Sequence, residues 1–595
     1  MLQSVIISVM PERIEGFGSA LFKLLGKLSK EHCSATPPLS ASFEQSVKLL
    51  ISALDICLVG AIHLPPDNRR FLTSALTMLV EKSQSPTMCK YLLALGRTWA
   101  FQKNEPYPPT KDKATFLQRM ATLETRGEMF FNSYLELIYD IYIEPSLRRS
   151  DLTVKLEQSF LLGCRARDIV LREKFVDLLD ASVPRTLASR LVYIIGMQSW
   201  EPLADHYWIP AALHLLLGAV DLDADQLASR KPSSSMPAGA VLPARRVGDI
   251  VLPLKHMLII DPNVVHDVWM SAFPAAWKSL SRRDQVDVTH HLISVLSREY
   301  HARQAEKRPN VIQTLLTSIN LCIPALVLPP HVIKFLAKTF GAWHAGMELL
   351  QTMDLVLEED PSIRDTIPDS LAELYAELAE EDQFYGLWRR CSLHNDTNIA
   401  VSFEQNGMWT QVAAMYEAAQ QKTRSGTLPY AESEYIFWED HWILAQEKLQ
   451  QWVILHDYAH NDNNPELLLE SAWRTKNWSQ DWETIQEQVE TLPSYGTLCR
   501  RVFESFLALI RPTPLQEKNI EFMRVLEDGM QLALRKWVAL PSHMSSAHIP
   551  LHHHFQQFVE LQEAVQIFGS LASTNETNLE KKSSELKLVL QAWRE

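Results

Sequence analysis

Five histidines crowd the C-terminal part of the chain: His543, His548, His552, His553 and His554. A spacing of four would let His548 and His552 reach one metal ion from a single helix face. Pro550 stands between them and disfavours a continuous helix, and no acid or thiol lies at ligand spacing nearby. The cluster is therefore expected to be a solvated helix start, and the pair His290 and His291 offers no more. Seven cysteines (Cys33, Cys57, Cys89, Cys164, Cys322, Cys391, Cys499) are odd in number, far apart and never in a CxxC pair. That pattern fits buried thiols in a reducing compartment better than disulfides or a zinc site. Gly16, Gly18 and Lys23 echo a nucleotide loop, but nothing reads as a strand before them. There is no GxGxxG, Walker loop, kinase HRD or DFG, GxSxG elbow or HExxH helix. No residue is assigned to catalysis, to a metal or to a cofactor, and the reading is of a protein that is not an enzyme.

Composition points to what carries the fold instead. The chain has 595 residues, more than one compact core supports, so several domains or a repeat array are expected. Only 19 are glycine, against ordinary usage of about 7%, which disfavours tight hairpins and phosphate-cradling loops. The formal charge is −14. Basic doublets (Arg69 and Arg70, Arg148 and Arg149, Arg245 and Arg246, Arg282 and Arg283) are dispersed among acids, so direct nucleic-acid binding is disfavoured. The first ten residues lack the positive start of a signal peptide. No run approaches the roughly 18 apolar residues of a membrane helix, so no membrane partner is expected. The sequons at Asn395, Asn477 and Asn575 then read as chance matches. The helical pattern that runs into Glu595 without a cap suggests a piece of something longer.

The strongest internal signal is a two-helix unit recurring between Leu371 and Trp478. Its clearest copy spans residues 398–419. Ile399, Ala400 and Phe403 share one face of a first helix and Gly407 ends it. Trp409, Val412, Tyr416 and Ala419 then follow at the spacing of a second helix. This is a degenerate tetratricopeptide pattern, with an aromatic wedge at the corner. Weaker copies place Leu371, Leu374, Tyr375 and Leu378 before Phe384; Trp438 and Trp442 before Trp452; and Leu468 and Ala472 before Trp478. On this reading Phe384, Trp409, Trp452 and Trp478 are equivalent corner residues. A buried Trp removes about 150–250 Å² from water, so Trp409→Ala is expected to cost roughly 3–5 kcal/mol. Such hairpins bury their apolar faces only by stacking, which makes a scaffold rather than a catalytic pocket.

Elsewhere the pattern is of amphipathic helices joined through prolines. Stripes run over Phe17, Leu21, Leu24 and Leu28; over Val47, Leu50, Leu54 and Leu58; and over Phe131, Tyr134, Leu135, Ile138 and Ile141. Two more cover Phe522 to Trp537 and Phe558 to Phe568. Paired helices without an aromatic corner are HEAT-like. Residues 229–240 carry no apolar period, so 221–248 reads as a loop, and shorter loops are expected at 421–433 and 573–582. The whole is an all-α α-solenoid. HEAT-like repeats fill 1–220 and 249–330, and tetratricopeptide-like hairpins fill 331–595.

Residues 369–388 (DSLAELYAELAEEDQFYGLW), 400–407 (AVSFEQNG), 435–442 (YIFWEDHW) and 472–478 (AWRTKNW) resemble the FAT domain of the transformation/transcription domain-associated proteins, the TRRAP family. Residues 156–163 (LEQSFLLG), 198–201 (QSWE), 334–338 (KFLAK) and 560–567 (ELQEAVQI) extend the resemblance in the same order. It covers most of the chain from about residue 150 and is thinner before that. It implies a segment running from the end of a HEAT region into the first part of a FAT domain, so that 331–595 is FAT-type. The family belongs to the phosphatidylinositol-3-kinase-related group but carries a pseudokinase. Its members serve as non-catalytic subunits of histone acetyltransferase co-activator complexes of the SAGA kind. The implied partners are subunits of such complexes and transcription activators, and the implied location is the nucleus. Two alternatives stand beside this: the regulatory HEAT and FAT portion of an active kinase of the same group, and a free-standing cytoplasmic helical-repeat adaptor.

Overall fold

The computed structural model describes residues 14–34, 41–102, 107–222, 246–261, 263–356, 366–475, 482–492, 497–510 and 515–594. They form helices and connecting turns, with no β-strand among the described residues. The chain divides into two compact units, Met1–Gln304 and Ala305–Glu595.

In the first unit, helix starts coincide with side chains that satisfy the free N–H groups of a first turn. Ser85, Asp168 and Ser281 accept from the amides of Met88, Val170 and Asp284. Proline occupies the opening turn of helices Pro66–Lys82 and Pro86–Phe101, where its missing N–H costs nothing. Each helix packs mainly on its near neighbours in the chain. All five apolar residues of the stripe in Glu128–Ile143 are buried, and so are Val47, Leu50 and Leu54 of Ala41–Val59. The first stripe is displaced. Leu21, Phe22 and Leu25 face the core of Ile14–Ser34 while Leu24 is 50% exposed, and the Phe17 side chain lies outside the described residues.

A polar pin holds the later helices of this unit. The Arg190 guanidinium is fully buried. It donates to the carbonyls of Pro184 (3.1 Å), Asp180 (3.2 Å) and Leu215 and to the Asp180 carboxylate. Lys255 Nζ reaches the other Asp180 oxygen at 3.1 Å. One cation on the helix Leu187–Val192 thus satisfies carbonyls at the ends of Ile169–Ser182 and Ile209–Leu217 and in the turn at Pro184, which apolar packing cannot do. The loop read over 221–248 lies mostly outside the described residues. Its ends meet, since the Gly248 amide donates to the Leu222 carbonyl at 3.0 Å, and a helix begins at Gly248 itself.

The second unit is a series of helical hairpins. Ile367–Glu377 pairs with Glu381–Cys391, Asn395–Gln405 with Trp409–Arg424, and Glu432–Lys448 with Trp452–Asp462. Pro465–Thr475 pairs with Trp482–Thr491, Leu498–Ile510 with Leu515–Ala539, and Ile549–Ala572 with Leu579–Arg594. The predicted breaks are shorter than read: one helix runs to Arg424 and the next starts at Glu432, while the last starts at Leu579.

Three corners within hairpins share one geometry, which recurs between helices at Gly341, Gly426 and Asn463. Ala379 (φ 52°), Gly407 (φ 68°) and Gln450 (φ 59°) turn left-handed. In each case the next amide reaches back five residues: Glu380 to Tyr375 (2.9 Å), Met408 to Phe403 (3.0 Å), Gln451 to Gln446 (3.0 Å). These are Schellman caps, which close one helix and launch the next. They correct the predicted register. Trp409 and Trp452 stand two residues after the left-handed position, where the first hairpin has Glu381; Phe384 stands five after, where the others have Val412 and Leu455. Phe384 is thus an inward helix residue and not a corner wedge, and Trp478 lies outside the described residues.

Candidate functional site

The chemistry-bearing residues of the second unit converge around residues 384–445. Ala400, Val401, Val412, Tyr416, Phe437 and Trp438 form a buried core, with Phe384 and Trp388 packed against it. Inside this apolar shell sits Glu404, whose side chain has no solvent exposure. Tyr385 donates to it at 2.8 Å, Tyr416 at 2.9 Å, and His441 Nδ1 lies 2.8 and 3.0 Å from its two oxygens. Burial pushes the Glu404 carboxyl up. The hydrogen bond and charge of His441, with the two phenols, outweigh it and hold the group below the usual carboxylate range. Burial and then the same carboxylate push both phenols up.

A Tyr–Glu–His cluster has the composition of an acid–base centre. Here both oxygens of Glu404 are already paired, and Phe384 stacks on the His441 ring at 5.6 Å while the Phe437 ring lies tilted against it at 4.0 Å. What it does is bind four successive helices, Glu381–Cys391, Asn395–Gln405, Trp409–Arg424 and Glu432–Lys448, through one carboxylate. A second buried acid, Glu434, works the same way. It accepts from the amides of Leu393 and His394 (3.3 Å) and from the Thr397 hydroxyl (2.6 Å). Thr397 in turn accepts from the Trp438 indole at 2.9 Å.

Beside this core opens a cleft of about 570 Å³ walled by Asp354, Trp388, Arg390, Leu393 and Glu434. A second of about 430 Å³ lies across the Arg390–Asp354 ion pair (2.8 Å). Leu393 is 77% exposed at the lip of the larger one.

The two corner indoles are half-buried rather than enclosed. Lys448 lies over the Trp409 ring at 5.9 Å and Arg474 over the Trp452 ring at 3.9 Å. In both cases the cation comes from the end of the next helix, so each corner is bracketed to the following hairpin by a cation–π contact.

The histidine cluster is a helix start, as expected, but one of its rings is not solvated. Pro550 falls in the first turn of a helix that starts at Ile549, so it opens the helix instead of breaking one. His548 is buried. Its Nδ1 accepts from the Ser545 amide at 3.1 Å, and its ring lies 4.6 Å from Trp537. Burial of its apolar ring edge against an indole, not hydration, decides its place, while His552 and His553 are exposed. Among the described residues no group of three or more His, Cys, Asp or Glu is placed to hold a metal ion. All seven cysteines are free thiols, and Cys57, Cys89, Cys164 and Cys322 are buried.

Glu404, Glu434, Tyr385 and His441 are not among the residues singled out from the sequence. The signal was present: Glu404 follows Ala400 and Val401 at helical spacing, and Glu434 precedes Phe437 and Trp438. Both put an acid on an apolar stripe.

Residues 1–322 match the family model described as the Tra1 HEAT repeat ring region, and residues 465–595 match the FAT domain. The chain belongs to the Tra1/TRRAP family. It is 34% identical, over 99% of its length, to the SAGA complex/NuA4 acetyltransferase complex subunit TRA1 of Saccharomyces cerevisiae. Identity to the Schizosaccharomyces pombe protein of the same description is also 34% over 99% of this chain. Identity to the human transformation/transcription domain-associated protein is 27% over 98%. The matched regions are 17%, 18% and 18% of those three proteins. This Tra1-family chain is thus an all-α solenoid segment, HEAT-like in its ring-matching part and FAT-type toward its C-terminal end.

Proposed function

We propose that the chain is a non-catalytic scaffold segment of a SAGA- or NuA4-like histone acetyltransferase complex subunit. On this reading it works in the nucleus, holds complex subunits and receives transcription activators through protein surfaces, and uses neither a membrane nor direct nucleic-acid contact. The observation that carries the reading is the 34% identity, over almost the whole chain, to proteins described as subunits of those complexes. The fate of the acid–base groups supports the non-catalytic part, since Glu404 and Glu434 are both occupied by structural donors and the Glu404 side chain has no solvent exposure. The Tra1 ring match over residues 1–322 favours this reading over the regulatory portion of an active kinase. FAT-type architecture is proposed to begin near residue 331, ahead of the matched 465–595, because the hairpins cornered at 379, 407 and 450 repeat one design.

Affinity purification of the tagged native protein from nuclear extract tests the reading. Acetyltransferase subunits should co-purify in stoichiometric amounts, and activator peptides should bind the chain in a pull-down. Recovery free of acetyltransferase subunits would sink the proposal.

A further inference from the structure

The first unit holds a cavity of about 190 Å³, below the roughly 300–1,000 Å³ of drug-sized sites. Arg165, Arg172, Trp208 and Cys164 line it, with an apolar floor that includes Val176 and Leu258. Four larger clefts of this chain each carry at least one carboxylate, among them Asp354, Asp382, Glu81 and Glu157. No acid lines this one, although the chain as a whole is formally −14.

Its donors are also unmatched. Both terminal nitrogens of Arg165 are spent on Glu124 at 2.7 Å each, outside the cavity, yet its Nε–H has no acceptor. The Nε–H of Arg172 and the indole N–H of Trp208 lack acceptors as well. Among the described residues Arg172 has no ion pair, and burial pulls its guanidinium down with no neighbouring carboxylate among them to offset it. Cys164 does not supply the missing anion, because burial pushes its thiol up to about 12. Buried donors without acceptors are rare in native proteins and costly, and a guanidinium with no counter-ion is the usual partner of a planar or tetrahedral oxyanion.

We propose that this cavity binds a small phosphate-type oxyanion, either free or borne on a compact apolar group, with Arg172 as its principal ligand. The anion sits between Arg172 and the Arg165 and Trp208 N–H groups, and the floor formed by Val176 and Leu258 receives any organic stem.

Equilibrium dialysis of the full 595-residue chain at fixed ionic strength, with inorganic phosphate and separately with phenyl phosphate, tests this. Saturable uptake of one equivalent is expected. Binding of inorganic phosphate assigns the free ion, and binding of phenyl phosphate alone assigns a monoester. Arg172→Gln should weaken uptake about tenfold to a hundredfold, while Arg149→Gln, outside the cavity, leaves it unchanged. In phosphate-free buffer Arg172→Gln should melt no lower than the parent chain, so lost binding is not lost folding. Absence of saturable uptake of either probe, or equal uptake by Arg172→Gln, overturns the proposal.

Discussion

Burial separates tryptophans that look alike in sequence. Trp438 is wholly enclosed and hydrogen-bonded through Thr397, whereas Trp409 is half-buried under Lys448. Trp438→Ala should cost about 3–5 kcal/mol and Trp409→Ala about 1–2 kcal/mol less than that. The order of the urea midpoints checks this, and equal midpoints would contradict it. Glu404→Gln keeps the shape but removes the charge facing His441, so it should destabilise by about 2–4 kcal/mol in the same assay. Because the Glu404 carboxyl is held low, its contribution is complete above the unfolded value near pH 4.3 and fades as pH falls through the folded one. The buried histidines of the first unit act at higher pH. Burial takes His214 and His301 down to about 4; Asp177 lies 3.4 Å from His214 but its carboxylate is mostly in solvent. Between pH 6.5 and 4 the unfolded chain binds protons that the folded one refuses, so stability falls as the solution is acidified through that window. Each imidazole accounts for roughly 3 kcal/mol across it. His301→Gln should flatten the dependence of the melting temperature on pH between 7 and 5, and an unchanged slope would remove His301 from the account. At this scale the sequence showed which residues were apolar but not how far each was enclosed. Enclosure depends on neighbours in the next hairpin, as the cations over Trp409 and Trp452 show.

At the level of the hairpin, the corner geometry is dictated by one left-handed residue, and the chain fills that place unevenly. Gly407 adopts it without a Cβ penalty; Ala379 and Gln450 carry the same φ at a cost. Ala379→Gly should therefore gain about 0.5–1 kcal/mol, and Gly407→Ala should lose about 1 kcal/mol. A methyl at Gly407 would meet nothing closer than the Trp409 indole nitrogen at 3.9 Å, so backbone strain alone is measured. Opposite shifts in denaturation midpoint are expected, and shifts of the same sign would mean the corner is not conformationally limiting. Helix existence and the apolar faces of 371–378 and 412–419 were legible from periodicity, because 3.6-residue spacing survives divergence. The corner register was not. Aromatic residues are conspicuous in sequence, while the residue that turns the chain is an ordinary Ala or Gln in two of three copies. Ion pairs then bind one hairpin to the next. Lys334 and Lys338 both meet Glu373 at 2.6 Å, joining Pro330–Phe340 to Ile367–Glu377.

Across whole units, most packing runs between neighbours in the chain, as expected of stacked repeats. That much is legible in the sequence. The second unit adds one contact that periodicity cannot reveal, because its partners are far apart in sequence and leave no common pattern. The helix Leu515–Ala539 ends against the start of the unit. Trp343 Nε1 donates to the Ala539 carbonyl at 2.7 Å, and Arg308 Nη2 donates to the Val538 carbonyl at 2.7 Å. Gly341, left-handed at φ 64°, permits the approach, since a Cβ there would stand 2.9 Å from the Ala539 oxygen. Terminal carbonyls of a helix lack intrahelical partners and carry its negative end. An indole N–H and a guanidinium are therefore well matched to them, and the Asn310 and Gln313 amides hold the same corner through Phe340 (2.8 Å) and Gly341 (3.0 Å). A series of hairpins joined only to their neighbours can open at any interface, whereas one tied between its first and later members opens only when the tie breaks. Trp343→Phe combined with Arg308→Met removes both donors and should weaken the tie by about 2–4 kcal/mol. Amide exchange in peptides covering residues 535–545 and 305–315 should then accelerate by tenfold or more, while peptides around Glu404 keep their protection. Acceleration confined to the substituted positions, with 535–545 unaffected, would show that neighbour-to-neighbour packing holds the unit unaided.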